Sequence, residues 1–284
     1  MSIEVLMGKQ NGDGGWPYVR GKSWTEPTVY AVMSLLTAGE RDAAERGIAW
    51  LRKTQRSDGG WSPREDVEES NWTTALAALV PPEALGERAH QAAITWLVST
   101  TGFESTLGFR VREWLLGNRP GRDLEFPGWP WFPGAAAWVG PTSIAILALE
   151  KENGRRPLPG IRKRIDDGRQ FLLRRACGEG GWNHGSVRVL GYESKPYPET
   201  TGMALAALRG VRAPQVQRAI GVARQFLGEC KSADAQNWLR LGLIAQGELP
   251  PGYCRPEDLA FRTVPEISLD LLMSRPDARS LFLG

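Results

Sequence analysis

The chain has 284 residues and a formal net charge of +3, from 35 Lys and Arg against 32 Asp and Glu. So small an excess of basic residues does not indicate a nucleic-acid partner, and we expect none. The 42% of apolar and 24% of charged residues are ordinary for a soluble protein that builds its core without disulfides or metals.

Targeting and membrane signals are absent from the sequence. No stretch approaches the ~20 apolar residues that a membrane-spanning helix needs, and the first residues lack the pattern of a signal peptide. The three cysteines, Cys177, Cys230 and Cys254, include no Cys-x-x-Cys pair, which favours free thiols in a reducing compartment. We therefore expect a cytoplasmic protein.

A short motif divides the chain into repeats. The sequence Gln-Asn-Gly-Asp-Gly-Gly-Trp at Gln10–Trp16 returns as Gln-Arg-Ser-Asp-Gly-Gly-Trp at Gln55–Trp61. A third copy at Ala176–Trp182 keeps an acidic residue, Gly-Gly and Trp. Glycines of this kind are typical of a helix end that must turn sharply. The stretches 41–53 and 162–175 are amphipathic and predict outer helices.

Apolar runs follow the turns and predict inner helices. Thr28, Thr74, Thr142 and Thr201 each open a run that is apolar nearly all round, the pattern of a buried helix. A weaker copy covers 223–245. The sequence therefore predicts an all-α fold, a single domain over residues 1–284 with about five to six helical hairpins. An open solenoid is the alternative. A closed ring is favoured because the inner helices are too apolar to line an exposed groove.

At its Gln…Asp-Gly-Gly-Trp turns the sequence resembles the prenyltransferase and squalene-cyclase repeat superfamily, which includes the terpene cyclases. The resemblance covers nearly the whole chain and implies an α/α toroid. In that superfamily the motif's Gln and Trp tie neighbouring hairpins together. It therefore implies structural roles for five residues: Gln10, Trp16, Gln55, Trp61 and Trp182.

The class II cyclases of this superfamily carry an Asp-x-Asp-Asp-Thr motif whose middle Asp protonates the substrate, and this chain has no such motif. When the motif is placed on the repeat, its Thr falls on Thr201 and its middle Asp on Glu199. Glu26 occupies the same place in the first repeat. The resemblance thus implies Glu199 and Glu26 as candidate catalytic acids. They are equally well explained as ordinary first-turn carboxylates that interact with backbone N–H groups.

Metal and cofactor sites are not predicted. Protein prenyltransferases hold zinc on an Asp-x-Cys pair and a distant His. That pair would fall on Tyr197 and Glu199, so we expect no zinc. The acidic loop 64–69 would suit Mg²⁺ if the substrate carried a diphosphate, although a charge run of this kind is usually solvated. We therefore expect no cofactor, with Mg²⁺ as the single alternative.

Aromatic side chains near the inner-helix starts are candidates for binding an apolar substrate, because indole and phenol faces stabilise carbocations. The segment 126–134 is rich in them. We interpret it as a diverged turn, with an apolar lid or membrane-touching loop as the alternative. Most aromatics on buried helices are core residues, so a minority should reach a substrate. The candidates are Trp24, Tyr30, Trp72, Trp131, Trp138 and Tyr197.

The resemblance implies a terpene cyclase-like enzyme that binds a polyprenyl hydrocarbon in an aromatic cavity and cyclises or isomerises it by protonation. A toroid that binds a lipid or a partner protein without catalysis is the alternative. A protein prenyltransferase β-like subunit ranks third. The expected partner is a hydrophobic isoprenoid, with peripheral contact at the inner membrane as an addition. The sequence leaves the oligomeric state open.

Overall fold

The computed structural model describes residues 3–116, 126–185, 188–189, 192–248, 262–275 and 279–284. These residues form fourteen α-helices, one 3-10 turn at Phe103–Ser105 and a two-stranded antiparallel hairpin. The strands are β1 (Arg188–Val189) and β2 (Tyr192–Glu193). The helices are α1 (Ile3–Met7), α2 (Thr25–Ala38), α3 (Arg41–Thr54), α4 (Thr73–Ala77), α5 (Pro82–Leu85), α6 (Glu87–Ser99), α7 (Leu107–Leu115), α8 (Val139–Arg155), α9 (Pro159–Arg174), α10 (Pro198–Ala207), α11 (Pro214–Glu229), α12 (Ala233–Ala245), α13 (Val264–Met273) and α14 (Ser280–Leu283).

The helices form two concentric layers. Within the described residues, α2, α4, α8, α10, α12 and α13 pack side by side as an inner ring, and α13 returns to α2. The outer layer contains α1, α3, α6, α9 and α11, each packed against one or two inner helices. The fold is therefore an α/α toroid, and the predicted all-α fold of about five to six hairpins is confirmed.

The ring closes through buried contacts between its first and last inner helices. The hydroxyl of Ser34 on α2 donates to the carbonyl of Ser268 on α13, at 2.9 Å. The N–H of Val264, the first residue of α13, donates to the carbonyl of Tyr18 at 2.8 Å. These bonds satisfy polar groups that the apolar interface would otherwise leave unpaired.

Four turns share one hydrogen-bonding scheme around a tryptophan. The Trp backbone N–H donates to a threonine hydroxyl of the following inner helix at 2.9–3.0 Å. The indole N–H donates, at 2.7–2.9 Å, to a carbonyl at the end of the preceding outer helix, where helices leave carbonyls unpaired. Each indole is almost fully buried. The tryptophans are Trp16, Trp61, Trp129 and Trp182. Since Trp129 belongs to segment 126–134, that segment is a turn.

The repeated spacing of glutamine and glycine in the first two turns also has a structural basis. Gln10 and Gln55 each donate to a carbonyl of the next outer helix, Ala43 at 3.0 Å and Ala89 at 2.8 Å. Gly14 has φ +96°, and a Cβ there would lie 2.5 Å from the carbonyl oxygen of Arg46. Only glycine fits so close an approach in that backbone conformation.

Candidate functional site

The amino ends of the inner helices surround one opening of the toroid, which we call the mouth. Trp24, Trp72, Trp138 and Tyr197 each directly precede an inner helix. Four of the six predicted substrate-binding aromatics therefore hold equivalent positions around the mouth. Trp131 lies in the turn before α8 and contacts Trp72 edge to face, with ring centroids 4.9 Å apart.

The exposure of the aromatics differs around the mouth. Trp138 and Tyr197 are 37% and 46% exposed and flank His184, whose ring lies 5.9 Å and 5.1 Å from theirs. Trp24 is half-buried and contacts Tyr18 edge to face at 5.4 Å. The structure therefore places two exposed aromatic side chains, Trp138 and Tyr197, and the half-buried Trp24 around the opening.

Tyr30 differs from the other five predicted aromatics. Its side chain is only 2% exposed and belongs to the core of α2, one turn below Glu26. Burial raises the pKa of the Tyr30 phenol well above its usual range, with the nearby Glu26 and Asp234 adding to the effect. Tyr30 is therefore a core residue near Glu26 and Asp234, and its predicted contact with a substrate stays a prediction.

Carboxyl groups converge inside the mouth. Glu26, Glu199 and Asp234 each occupy the second position of an inner helix, in α2, α10 and α12. Glu266 lies at the third position of α13, where its side chain and that of Thr263 cap the helix reciprocally. Acids are common in the first turn of helices because the backbone N–H groups there favour negative charge.

Glu26 has an environment that favours a neutral carboxyl. Burial raises the pKa of Glu26, and the hydrogen bond from the Tyr18 hydroxyl to its Oε2 partly opposes that rise. The side chain nevertheless keeps some solvent-accessible surface. Glu26 is therefore surrounded by protein on most sides while part of the residue stays accessible to solvent.

Asp234 is the acid that sequence reasoning missed. Burial, followed by the charges of Glu26, Glu199 and Glu266, raises the pKa of Asp234 from 3.8 to about 7, and a hydrogen bond with Trp238 opposes the rise. Burial and three neighbouring carboxyl groups thus act together on Asp234 and favour its protonated form near neutral pH. Such an arrangement can hold a proton and deliver it.

A signal for Asp234 does exist in the sequence. Its hairpin lacks the Gly-Gly-Trp turn, because only residues 230–232 separate α11 from α12. Gln236 is the fourth residue of α12, the position that Thr201 holds in α10. Its side chain donates to the carbonyl of Leu227 at 2.8 Å, the same kind of outer-helix carbonyl that the indole N–H groups bind in the other turns. An aspartate two residues before that glutamine therefore corresponds to Glu199, which lies two residues before Thr201.

In the described part of the chain, no group of three His, Cys, Asp or Glu side chains is arranged so that it could hold a metal ion. The acidic loop 64–69 contains an ion pair between Arg64 and Asp66, and the Arg64 guanidinium also lies 4.8 Å from the Trp24 ring. His90 is buried against the carbonyl of Ala78. Cys177 and Cys230 form no disulfide within the described residues, and Cys254 lies outside them.

Comparison with known proteins supports the fold and leaves the type of reaction open. No family model matches the chain. Protostadienol synthase A of Arthroderma gypseum is 38% identical over 76 residues, which is 22% of this chain and 10% of that protein. The chain therefore matches about a tenth of the length of this curated relative.

Solved structures share the toroid at low sequence identity. A GH8 endo-β-1,4-glucanase from an Achatina fulica gut metagenomic library is 14% identical, with 96% of this chain and 97% of the glucanase covered and a TM-score of 0.62. A variant of the type II terpene cyclase MstE from Scytonema, in complex with geranylgeranyl dihydroxybenzoate, is 14% identical with a TM-score of 0.44 and coverage of 98% and 95%. The first likeness supports the fold alone, and the second is too weak to carry an argument.

Proposed function

We propose that the chain is a terpene cyclase-like enzyme that binds a polyprenyl hydrocarbon at the mouth and cyclises or isomerises it by protonation. The observation that supports the proposal most is the pair of cavity acids, Glu26 beside the Tyr18 hydroxyl and Asp234 with its pKa near neutrality. A carboxylic acid delivers a proton best when its pKa lies near the working pH. The local match to a protein named protostadienol synthase A agrees with this chemistry.

The proposed first step transfers the carboxyl proton of Glu26 to a carbon–carbon double bond. The π electrons form the new C–H bond, and the positive charge stays on the more substituted carbon. The Tyr18 hydroxyl then stabilises the Glu26 carboxylate. Half-buried indoles at Trp24, Trp72 and Trp131 offer faces that stabilise the cation. Attack by an internal double bond closes a ring, and loss of a proton to a carboxylate of the cluster ends the reaction.

Glu199 remains the alternative acid from the sequence. It shares the helix position of Glu26, and its charge acts on Asp234. The neighbourhood differs, however. In the Glu26 hairpin the residue two positions after the turn tryptophan is Tyr18, which binds the acid. In the Glu199 hairpin it is His184, which is exposed and contacts rim aromatics. We therefore propose Glu26 as the donor, with Asp234 holding a second proton.

Peripheral contact with a membrane is part of the proposal, and α7 supports it. The apolar side chains Leu107 and Trp114 on α7 are 78% and 75% exposed. The turn before α7 is pinned beside the mouth, because the N–H of Ala137 donates to the Glu104 carboxylate at 3.0 Å. With Arg112 exposed on the same helix, the surface suits an anionic bilayer. None of the described helices is long and apolar enough to span one.

Mass spectrometry of organic extracts from the purified protein tests the proposal most directly. We expect an isoprenoid to co-purify, and we expect polyprenyl substrates to be converted without added metal. A chain that binds isoprenoids but never converts them would favour the non-catalytic toroid. Because paired carboxylates are also the groups that glycosidases use, the assay should include a cello-oligosaccharide. Its hydrolysis would overturn the proposal.

A further inference from the structure

A small cavity lies at the end of the toroid opposite the mouth. It has a volume of about 240 Å³ and lies where the carboxyl end of α8 meets α5, α6 and the C-terminal helix α14. Pro81, Pro82 and Leu281 give the cavity an apolar wall. Lys151, which also lines it, lies about 18 Å along α8 from the amino end of that helix, at 1.5 Å per residue. The cavity is therefore separate from the acids at the mouth.

The hydrogen bonds of Lys151 match those of a neutral amine. Its Nζ donates to the carbonyl of Leu79 at 2.7 Å and to the carbonyl of Leu281 at 2.9 Å. A protonated lysine has three N–H donors, whereas the neutral amine has two and a lone pair. The two carbonyls therefore satisfy both donors of the neutral form. Because Lys151 lines the cavity, the lone pair is available to a molecule that enters it.

The surroundings of Lys151 favour the neutral amine as well. Burial lowers the pKa of Lys151 from 10.5 to about 8, and the charge of Glu83 partly opposes the fall. The other ionisable groups that line the cavity do not supply a close counter-charge. Arg155 donates to the Glu152 carboxylate at 2.9 Å, and burial lowers the pKa of His90. Desolvation of this kind is how proteins turn a lysine into a nucleophile near neutral pH.

We propose that Lys151 is a nucleophilic amine and that this cavity binds a small aldehyde or ketone, which Lys151 holds as an imine. The site is independent of the proposed reaction at the mouth. The Nζ lone pair attacks the carbonyl carbon and forms the C–N bond, while the carbonyl oxygen takes one proton from Nζ. The hydroxyl group then leaves as water with the second Nζ proton, which the Glu83 carboxylate on the cavity wall can carry. The apolar wall suits the hydrocarbon part of the ligand.

The experiment treats the full chain with butanal, reduces the imines with sodium cyanoborohydride and locates the butyl groups by peptide mapping. A pKa near 8 leaves about a tenth of the Lys151 amines unprotonated at pH 7, against less than about a thousandth for an ordinary lysine. We therefore expect Lys151 to be modified at least about tenfold faster than Lys53, whose side chain is 74% exposed on α3. The rate at Lys151 should level off above about pH 8, whereas the rate at Lys53 should keep rising toward about pH 10.

Variants at Leu281 test whether the cavity holds the aldehyde. Leu281→Trp should fill the cavity and lower the modification rate of Lys151 to that of Lys53, and Leu281→Phe is the milder variant if Leu281→Trp does not fold. Leu158→Trp is the matched control, since Leu158 is 45% exposed and lies outside the cavity wall. If the wild type modifies Lys151 no faster than Lys53, or if a folded Leu281 variant keeps the wild-type rate, the imine site is ruled out. Neither result bears on the proposed function, whose acids lie at the mouth.

Discussion

Replacing Asp234 by asparagine should stabilise the protein at neutral pH. Asparagine keeps an acceptor for the Trp238 indole N–H but carries no charge. Burial and the neighbouring carboxylates raise the pKa of Asp234 from 3.8 to about 7 in the folded state. A shift of about three units corresponds to about 4 kcal/mol of unfolding free energy, at ~1.4 kcal/mol per unit.

The direction of the pH dependence follows from whether the folded or the unfolded state binds the Asp234 proton more tightly. The folded state binds the proton more tightly. Its contribution to the unfolding free energy is therefore fully present below the unfolded pKa near 3.8 and is lost as the pH rises through about 7. Asp234→Asn is neutral throughout and does not lose that advantage. The unfolding free energy of the variant should therefore equal that of the wild type near pH 4. The difference should grow between about pH 4 and 7 and reach up to about 4 kcal/mol in favour of the variant above that range.

Urea unfolding followed by circular dichroism at several pH values between about 4 and 8 measures the difference. Asp42→Asn is the matched control, because Asp42 holds the second position of the outer helix α3 and is exposed. It should change the stability by no more than about 0.5 kcal/mol at neutral pH. If the unfolding free energies of Asp234→Asn and the wild type differed by the same amount at every pH, the argument that a cluster of acids is buried at the mouth would be refuted.

Three further predictions concern catalysis, the turns and the surface. Glu26→Gln should abolish turnover while leaving the fold and isoprenoid binding intact, because the amide keeps the shape without the proton. Loss of activity in Glu199→Gln alone would move the acid to α10, and full activity in the double mutant would exclude both. Trp61→Ala should lower the unfolding free energy by roughly 3–5 kcal/mol, since its indole is fully buried and hydrogen-bonded; an unchanged melting temperature would contradict this. Trp114→Glu should reduce co-sedimentation with phosphatidylserine vesicles relative to the wild type, whereas unaltered sedimentation with an altered oligomeric state would assign α7 to contact between copies.

The fold could be predicted because its main determinants are local and repeated. The Gly-Gly-Trp turn, the following threonine and the apolar run lie within one stretch of chain, so the hairpins that contain all three can be recognised in the sequence. The hydrogen bonds of Trp16, Trp61 and Trp182 to those threonines are the physical reason for the pattern. The single-domain extent over 1–284 and the identity of the site residues remain predictions.

The acid cluster could be predicted only in part, because a pKa depends on neighbours that are distant in sequence. Repeat symmetry assigned Glu26 and Glu199 the same position and could not separate them. What separates them is a partner, the Tyr18 hydroxyl that binds Glu26. Asp234 was missed because its hairpin lacks the Gly-Gly-Trp turn, and the predicted substrate-binding role of Tyr30, which is almost fully buried in α2, stays a prediction.

Among the described helices, the closed ring leaves no inner helix as an end repeat. In an open array of hairpins the terminal repeats contact a single neighbour, and they fray before the middle does. Here α2 and α13 cover each other through residues that are 234 positions apart, joined by the bond between Ser34 and Ser268. Either helix can detach only if both of its interfaces break. Amide hydrogen exchange in α2 and α13 should therefore be as slow as in α8, and the inner layer should unfold as one cooperative unit.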